Sequence, residues 1–243
     1  MQNVFVRGIK FDKNQDLETY PFSISAVQNI ERISFSTPVT FLVGENGSGK
    51  STIIEAVAVA AGFNAEGGTK NYNFSTENTT SALADISTLI RGSGREKYGY
   101  FLRAESFYTA ANYAEKGTFL IAETPSPLLF EGKHIHEQSH GEAFLSIIKS
   151  FRPGLFIFDE PESALSPQRL LHLMSAIHEL EKQGSQFIIA THSPILLAYP
   201  GANIYQLSQT GVSMVEYEDI EHVKMSRDFL NNPAVFLSKL FGK

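Results

Sequence analysis

The glycine-rich stretch from Gly44 to Thr52 has the residue types and spacing that hold a phosphate group. It reads GENGSGKST and fits the pattern G-x-x-x-x-G-K-[S/T] at every position. Glycines let backbone N–H groups curl around phosphate oxygens, and a following helix adds the positive end of its dipole. In this pattern Lys50 reaches the β- and γ-phosphates and Ser51 is a ligand of Mg²⁺. The predicted binding residues are Gly44, Glu45, Asn46, Gly47, Ser48, Gly49, Lys50, Ser51 and Thr52.

Two further polar groups follow apolar segments of the kind that form buried strands. LFIFDEP places Asp159 and Glu160 directly after four apolar residues, and IIATHS leads into His192. Beside a phosphate loop, Asp159 fits a ligand of Mg²⁺, usually through water, and Glu160 fits a general base for the attacking water. A lone histidine is more often structural, but at a neighbouring strand end His192 can contact the γ-phosphate. The sequence therefore predicts Lys50, Glu160 and His192 as catalytic residues, and Ser51 and Asp159 as metal ligands.

The segment HEQSH at His136–His140 fits the zinc-protease pattern H-E-x-x-H. That pattern needs a continuous helix through both histidines, whereas Gly132 and Gly141 bracket the segment closely. A third ligand could come from Glu160 or Glu162, but Glu160 ends an apolar strand and is an awkward source. A helix that begins after Ser139 would instead direct its N-terminal N–H groups at an anion. The sequence favours this anion-binding interpretation, with zinc as the alternative.

The apolar pattern predicts the elements that position these groups. The predicted strands are NVFVRGIKF, NIERISFS, VTFLVG, part of KYGYFLRAESF, LFIFDE, SQFIIATHS and a hairpin over NIYQLSQTGVSMVEY. The predicted helices are STIIEAVAVAAG as far as Gly62, SALADISTLIRG, GEAFLSIIKSF, PQRLLHLMSAIHELEKQG and SRDFLNNPAVFLSKLF, broken at Pro233. AEGGTKNYNFSTENTTS predicts a long surface loop. Because strands and helices alternate from VTFLVG onward, we expect a mainly parallel sheet covered by helices, in one domain over residues 1–243.

Composition narrows the functional classes. The chain has 243 residues and no cysteine, which excludes disulfides, thiol catalysis and cysteine-bound zinc. A formal net charge of -6 argues against indiscriminate binding to nucleic acid. The basic stretch Arg91–Arg103 could still bind an acidic partner, although a solvated loop leading into a strand also explains it. No apolar run approaches the roughly 20 residues of a membrane span, and no signal peptide is evident, so we expect a cytoplasmic protein.

The order of these motifs resembles that of the ABC-type ATPases, a group of P-loop NTPases. The Walker A motif at Gly44–Ser51 precedes a signature position at Gln138–Glu142, the Walker B motif at Leu155–Glu160, a D-loop at Ser163–Ser166 and the switch histidine His192. The family signature reads roughly L-S-G-G-Q/E, and QSHGE stands in its place. The resemblance implies an α/β fold with a mainly parallel core sheet, flanking helices, N-terminal antiparallel strands and a small helical subdomain at approximately 80–150.

The resemblance also implies a mechanism that uses ATP, Mg²⁺ and two copies of the chain. ATP held by Lys50 of one copy would be capped by the partner's Ser139 and the N–H of the partner's Gly141. Neither half-site should hydrolyse ATP well alone, so a homodimer would form on ATP binding. Ser163–Ser166 would then lie along the dimer interface.

Some positions depart from the family pattern. His140 stands where the signature usually has glycine, and Ser166 where the D-loop usually has aspartate. No Q-loop glutamine is evident, and Glu105 is the candidate contact to Mg²⁺ or water in its place. Tyr20 and Phe22 are candidates for stacking on adenine.

The spacing between motifs separates the branches of the family. Only a short stretch, from about Ser106 to Glu137, separates the Q-loop region from the signature, and it has no heptads. The long coiled coil of SMC and DNA-repair ATPases is therefore not expected. The whole resembles the small, stand-alone bacterial ATPases with an SHGE signature. The leading hypothesis is an Mg²⁺-dependent ATPase whose dimerisation drives an effector protein or nucleic acid. The alternatives are the energy subunit of a membrane transporter and an ATP-gated binding switch with little turnover.

Overall fold

The computed structural model describes residues 4–12, 18–70, 82–103, 144–145 and 148–242. The strands are β1 (Val6–Phe11), β2 (Arg32–Ser34), β3 (Val39–Val43), β4 (Gly68–Thr69), β5 (Ser87–Arg91), β6 (Gly99–Arg103), β7 (Leu155–Asp159), β8 (Gln186–Ala190), β9 (Asn203–Ser208) and β10 (Gly211–Val215). The helices are α1 (Ser25–Gln28), α2 (Lys50–Ala60), α3 (Ala82–Asp85), α4 (Pro167–Lys182), α5 (Pro194–Leu197), α6 (Glu221–Asn231) and α7 (Pro233–Phe241). Short 3-10 turns lie at Pro161–Ala164 and Tyr217–Asp219.

The larger sheet has the strand order β10-β9-β3-β8-β7-β6-β4. Its central strands β9, β3, β8, β7 and β6 are parallel, and β10 and β4 pair antiparallel at the two edges. Every residue of β3, β7 and β8 is buried, as expected of strands covered on both faces. The predicted α/β fold with a mainly parallel core sheet is confirmed. Because the strands are parallel, the carboxyl ends of β3, β6, β7 and β8 meet at one edge.

The alternation of side chains along each central strand divides the core into two clusters. Phe156 and Phe158 of β7 point to the side on which α4 packs, whereas Leu155 and Ile157 point to the side that contains α2. Phe156 stacks on Phe187 of β8, with the ring centroids 4.8 Å apart. These buried faces fix the strand register, and with it the positions of the residues that follow β7 and β8.

A smaller antiparallel sheet, in the order β2-β1-β5, covers α2 on its other side, as predicted for the N-terminal strands. A buried amide joins the two sheets. Gln186 of β8 accepts a hydrogen bond from Val6 N at 2.9 Å and donates one to Val6 O at 2.7 Å. A polar side chain with no exposure is stable here because both of its ends are paired.

The prediction of one helix over SALADISTLIRG is wrong. The chain forms the four-residue helix α3 and then the strand β5, which pairs with β1 along its whole length. Leu83, Ile86 and Leu89 have helical spacing, which explains the prediction. The free edge of β1 offers backbone partners to a segment that contains Thr88 and Ile90, and this pairing outweighs the helical pattern. In the predicted loop that follows α2, Gly68–Thr69 forms the edge strand β4, and residues 71–81 lie outside the described ones.

The other predicted elements occur where expected within the described residues. Helix α2 ends at Ala60, two residues before Gly62, and Pro233 separates α6 from α7. In GEAFLSIIKSF, Phe144 and Ile148 are helical and buried. Of the predicted helical subdomain at 80–150, the structure describes α3, β5, β6 and these last helical residues. In the described ranges, no helix combines the length and the apolar character needed to cross a membrane.

Candidate functional site

The loop between β3 and α2 has a backbone that requires glycine. Gly47 and Gly49 have φ angles of 80° and 93°, in the left-handed region that favours this residue. At Gly44, a Cβ atom would lie 2.7 Å from Ser48 Oγ and 2.9 Å from Leu207 O. The loop therefore forms a tight curl of exposed backbone, as the sequence motif predicts.

Helix α2 begins at this loop without a side-chain cap. Its N-cap residue is Gly49, its first turn contains no acidic residue, and its first backbone bond runs from Ile53 N to Gly49 O at 2.9 Å. The first N–H groups of a helix have no intrahelical partner and carry the positive end of the dipole. Ser48 Oγ is also buried without a hydrogen-bond partner among the described residues. These donors fit an anion with several oxygens, as a phosphate chain has.

Lys50 places a buried ammonium at the centre of the loop. Its side chain is 4% exposed, and Nζ donates to Gly44 O and Glu45 O, each at 3.0 Å. Burial lowers the pKa of Lys50, and the nearby carboxylates of Glu160 and Asp159 oppose this shift. The loop carbonyls thus hold a cation ready to bind phosphate oxygens.

Ser51 and Asp159 join the loop to the end of β7. Ser51 Oγ donates to Asp159 Oδ1 at 3.1 Å. Burial raises the pKa of Asp159 to about 6, and the Ser51 hydrogen bond opposes the rise. A hydroxyl and a carboxylate at this distance suit Mg²⁺, which takes one or two protein oxygens and fills its other positions with water and phosphate. In the described ranges, no group of three or more histidine, cysteine, aspartate or glutamate side chains could hold a metal ion.

We expect Asp159→Asn to stabilise the protein when nucleotide and Mg²⁺ are absent. The folded pKa of Asp159 is raised, so its ionisation opposes folding: stability falls as pH rises from about 4 to 6 and the loss is complete above that window. Asparagine keeps the acceptor for Ser51 and removes the charge. In urea unfolding with a chelator, the variant should gain on the order of 1–2 kcal/mol at pH 7.5 and nothing at pH 4. An equal or lower stability at pH 7.5 would contradict the assignment.

Glu160 has an unusual backbone that turns the chain away from the sheet. Its φ of 49° and ψ of 55° are left-handed, although it is not glycine. Such strain is concentrated at functional sites. Glu160 N donates to Ala190 O at 3.0 Å, and the carboxylate is 40% exposed in the cleft. The side chain can therefore reach water beside the phosphate loop.

His192 lies next to Glu160, as the sequence predicts for adjacent strands. Its Nε2 atom is 3.5 Å from Glu160 Oε1. Burial and Lys50 lower the pKa of His192, which favours the neutral imidazole at pH 7. The ring of His222, on α6, packs edge-on against His192, with the ring centroids 6.3 Å apart. No sequence pattern indicated His222, because the fold brings α6 next to His192 from a distant part of the chain.

The side chains of Lys50, Ser51, Asp159 and Glu160 line one cleft of about 530 Å³, a volume typical of small-molecule sites, and His192 adjoins it at Glu160. Its walls include the predicted residues Asn46, Gly47, Gly49, Lys50, Ser51, Thr52, Asp159 and Glu160. The backbone oxygens of Gly44 and Glu45 support Lys50 from behind. Ser139, Gly141, Glu105 and the zinc alternative at His136–His140 all lie outside the described residues.

Tyr20 and Arg103 complete the lining of the cleft. Tyr20 is 73% exposed and its hydroxyl lies 3.2 Å from Thr52 Oγ1, whereas Phe22 is buried in the core on the α2 side. Of the two predicted adenine contacts, only Tyr20 therefore lines the cleft. Arg103 was predicted as part of a basic stretch, but it ends β6 opposite Asp159 and donates to Glu55 Oε2 at 2.9 Å.

Other residues of the predicted basic stretch and D-loop have local roles. Arg91 and Lys70 pair with the buried carboxylate of Glu96. Ser166 stands where the family pattern usually has aspartate, and it is the N-cap of α4, where its hydroxyl accepts from Arg169 N at 3.4 Å. Serine and aspartate are both good N-caps, so this departure preserves the helix start.

Comparisons with known proteins bear on the family and the fold of the chain. A family model described as "AAA domain" matches residues 22–154, more than half of the chain, and one described as "AAA domain, putative AbiEii toxin, Type IV TA system" matches 143–198. The "Tungstate uptake system ATP-binding protein TupC" of Campylobacter jejuni is 23% identical, over 86% of this chain and 70% of that protein. The "Energy-coupling factor transporter ATP-binding protein EcfA2" of Methanospirillum hungatei is 27% identical, over 81% of this chain and 52% of that protein. A solved ATP-binding cassette of an ABC transporter has a TM-score of 0.50 at 16% identity, covering 93% of this chain and 97% of that one.

Proposed function

Since the chain belongs to the AAA domain family of P-loop NTPases of the ABC ATPase type, we propose that it binds ATP with Mg²⁺ and hydrolyses the γ-phosphate. The observation that carries the proposal is the hydrogen bond from Ser51 to Asp159 beside the buried Lys50. It brings an oxygen ligand pair for Mg²⁺ and a cation for the phosphates into one cleft. Glu160 lies at the same cleft, where a general base is required.

Each residue has a distinct role in the proposed reaction. Lys50 and the N–H groups at the start of α2 bind the β- and γ-phosphate oxygens. Mg²⁺, bound through Ser51 and Asp159, would neutralise charge between these phosphates. Glu160 orients the attacking water and accepts its proton. His192 contacts the γ-phosphate and the same water. The exposed ring of Tyr20 stacks on the adenine.

We propose that the active form is a head-to-tail homodimer with two shared sites. The exposure of Glu160 supports this, because an open carboxylate would remain solvated until another surface covers the cleft. The partner's Ser139 and Gly141 supply that surface. We expect the dimer in the cytoplasm, where ATP is available, and its ATP cycle to act on an effector protein or a nucleic acid.

Mixing two inactive variants tests the shared site. Lys50→Ala damages nucleotide binding in its own copy, and Ser139→Arg damages the cap that a copy gives to its partner. Each variant alone should be inactive. A mixture should recover up to about a quarter of the wild-type rate, because half of the dimers are mixed and each has one intact site. Phosphate release measured against the mixing ratio gives the result.

The control is a mixture of Lys50→Ala with Glu160→Gln. If both residues act on the nucleotide bound by their own copy, every dimer lacks an intact site and the mixture should stay inactive. No recovery in the Lys50→Ala and Ser139→Arg mixture, with both proteins folded, contradicts the head-to-tail dimer. Full activity of Ser139→Arg alone contradicts the capping role of this residue.

A transporter energy subunit is the second candidate. Of the two named relatives, one is the ATP-binding protein of a tungstate uptake system and the other that of an energy-coupling factor transporter. A transporter subunit should co-purify with a membrane protein when Glu160→Gln is isolated with ATP from its native cell. Recovery of a non-membrane protein or nucleic acid instead would favour the stand-alone ATPase.

A further inference from the structure

We propose that Glu162 is a positioning residue that holds His192 beside Glu160. The inference rests on the proposed ATPase function and assigns a role to a residue that the ATPase motifs leave without one. Glu162 lies in the turn Pro161–Ala164, two residues after the general base. Its side chain, however, points away from the cleft and into the strand end that carries His192.

The carboxylate of Glu162 binds the backbone and side chain of the switch segment directly. Its Oε1 atom accepts a hydrogen bond from Thr191 Oγ1 at 2.8 Å and another from His192 N at 2.5 Å. Thr191 Oγ1 in turn accepts from Ser193 N at 3.0 Å. Directly or through Thr191 Oγ1, the Oε1 atom of Glu162 is therefore linked by hydrogen bonds to residues 191–193.

The segment is also fixed at both ends, so a shift at its centre would move the imidazole. Thr191 N donates to Leu42 O of β3 at 3.1 Å. Ser193 is the N-cap of α5, and its hydroxyl accepts from Leu196 N at 3.4 Å. Between these anchors, the bond to Glu162 is the contact that sets the peptide of His192. The Nε2 atom of His192 then lies 3.5 Å from Glu160 Oε1.

The bonds to Glu162 need an acceptor but not a charge. Its second oxygen, Oε2, is buried and has no hydrogen-bond partner within the described residues. Both the ionised and the protonated carboxyl keep Oε1 as an acceptor, and so does the amide of glutamine. This makes Glu162→Gln a conservative variant that preserves the contact, while Glu162→Ala removes it.

Glu162 also links the turn that follows Glu160 to the segment that carries His192. Ser163 N donates to Glu160 O at 3.2 Å and Leu165 N donates to Glu162 O at 3.0 Å, so the turn is a compact unit. The turn overlaps the segment Ser163–Ser166, which is expected at the dimer interface. Through Glu162, a displacement of this turn on dimer formation would also displace His192.

The test compares turnover in single and double variants. We expect Glu162→Ala to lower kcat about 10- to 100-fold with KM for ATP changed by less than about twofold, since the contact acts on the reacting water rather than on nucleotide binding. Glu162→Gln should recover kcat to within about fivefold of the wild type. In a His192→Ala background, Glu162→Ala should cause a further loss of less than about twofold, because the two residues act as one unit. Glu179→Ala, a substitution of an exposed glutamate on α4, is the matched control and should be silent.

Independent losses that multiply in the double variant would overturn the inference, and so would a Glu162→Ala enzyme with wild-type kcat. A second measurement does not require activity. Amide hydrogen exchange at residues 191–193 should rise in Glu162→Ala, while exchange in β8 stays unchanged. If the wild type hydrolyses no ATP, the proposed function fails, and the positioning role is then decided by exchange alone: unchanged exchange at His192 contradicts it.

Discussion

Replacing Glu160 with glutamine is expected to lower ATP turnover about 100- to 10,000-fold, the range found when a general base is lost. The amide keeps the size of the side chain but cannot accept the proton of the attacking water. Glu160 lies in a left-handed backbone conformation at the open side of the cleft, and Lys50, Ser51 and Asp159 stay in place in the variant. ATP should therefore bind with unchanged or higher affinity.

Slow turnover should also reveal the dimer. With ATP and Mg²⁺, light scattering after gel filtration should show Glu160→Gln at twice the mass of the nucleotide-free protein, while the wild type returns to the monomer as ATP is consumed. Glu179→Gln, at an exposed position on α4, is the control for an unrelated loss of charge. Unchanged turnover in Glu160→Gln would show that Glu160 is not the general base. It would favour a binding switch that hydrolyses little ATP.

Replacing Lys50 with alanine should have the other large effect, on both nucleotide binding and turnover. Lys50 is 4% exposed and donates to two loop carbonyls, so it is already positioned where the phosphates would lie. Losing one charge-assisted contact of about 1.5–3 kcal/mol raises the dissociation constant for ATP roughly 10- to 150-fold. Turnover should fall below detection.

Isothermal titration of ATP into the nucleotide-free protein measures this loss. Lys182→Ala is the control, because Lys182 is exposed on α4 and pairs with Glu179 there. Thermal unfolding of each variant without nucleotide separates lost binding from lost folding. A Lys50→Ala protein that is folded and binds ATP like the wild type would show that the phosphates bind elsewhere.

The parts of the site that the sequence predicted are those made by short, local segments. Gly44–Thr52 requires its glycines for a loop closed within a few residues, and Asp159 and His192 each follow an apolar strand. Once the strands are parallel neighbours, their ends must meet. Local pattern and sheet geometry therefore suffice to predict that the loop Gly44–Thr52, Asp159 and Glu160 come together at one cleft.

The remaining residues depend on contacts between distant parts of the chain. Glu162 meets Thr191 and His192 across 29 and 30 positions, and Arg103 faces Asp159 only because β6 pairs with β7. Nothing in the spacing of these residues distinguishes them from ordinary surface charges. The prediction of a helix over SALADISTLIRG was wrong for the same reason. The edge of β1 that pairs with β5 is more than 75 residues away along the chain.

A crystal structure of Glu160→Gln grown with ATP and Mg²⁺ tests the central claim most directly. We predict the triphosphate in the loop Gly44–Thr52 with Lys50 on its β- and γ-oxygens, Mg²⁺ beside Ser51 and Asp159, and the partner's Ser139 and the partner's Gly141 on the γ-phosphate. Nucleotide bound away from Lys50, or a metal held between His136 and His140 while the loop stays free of phosphate, would contradict it.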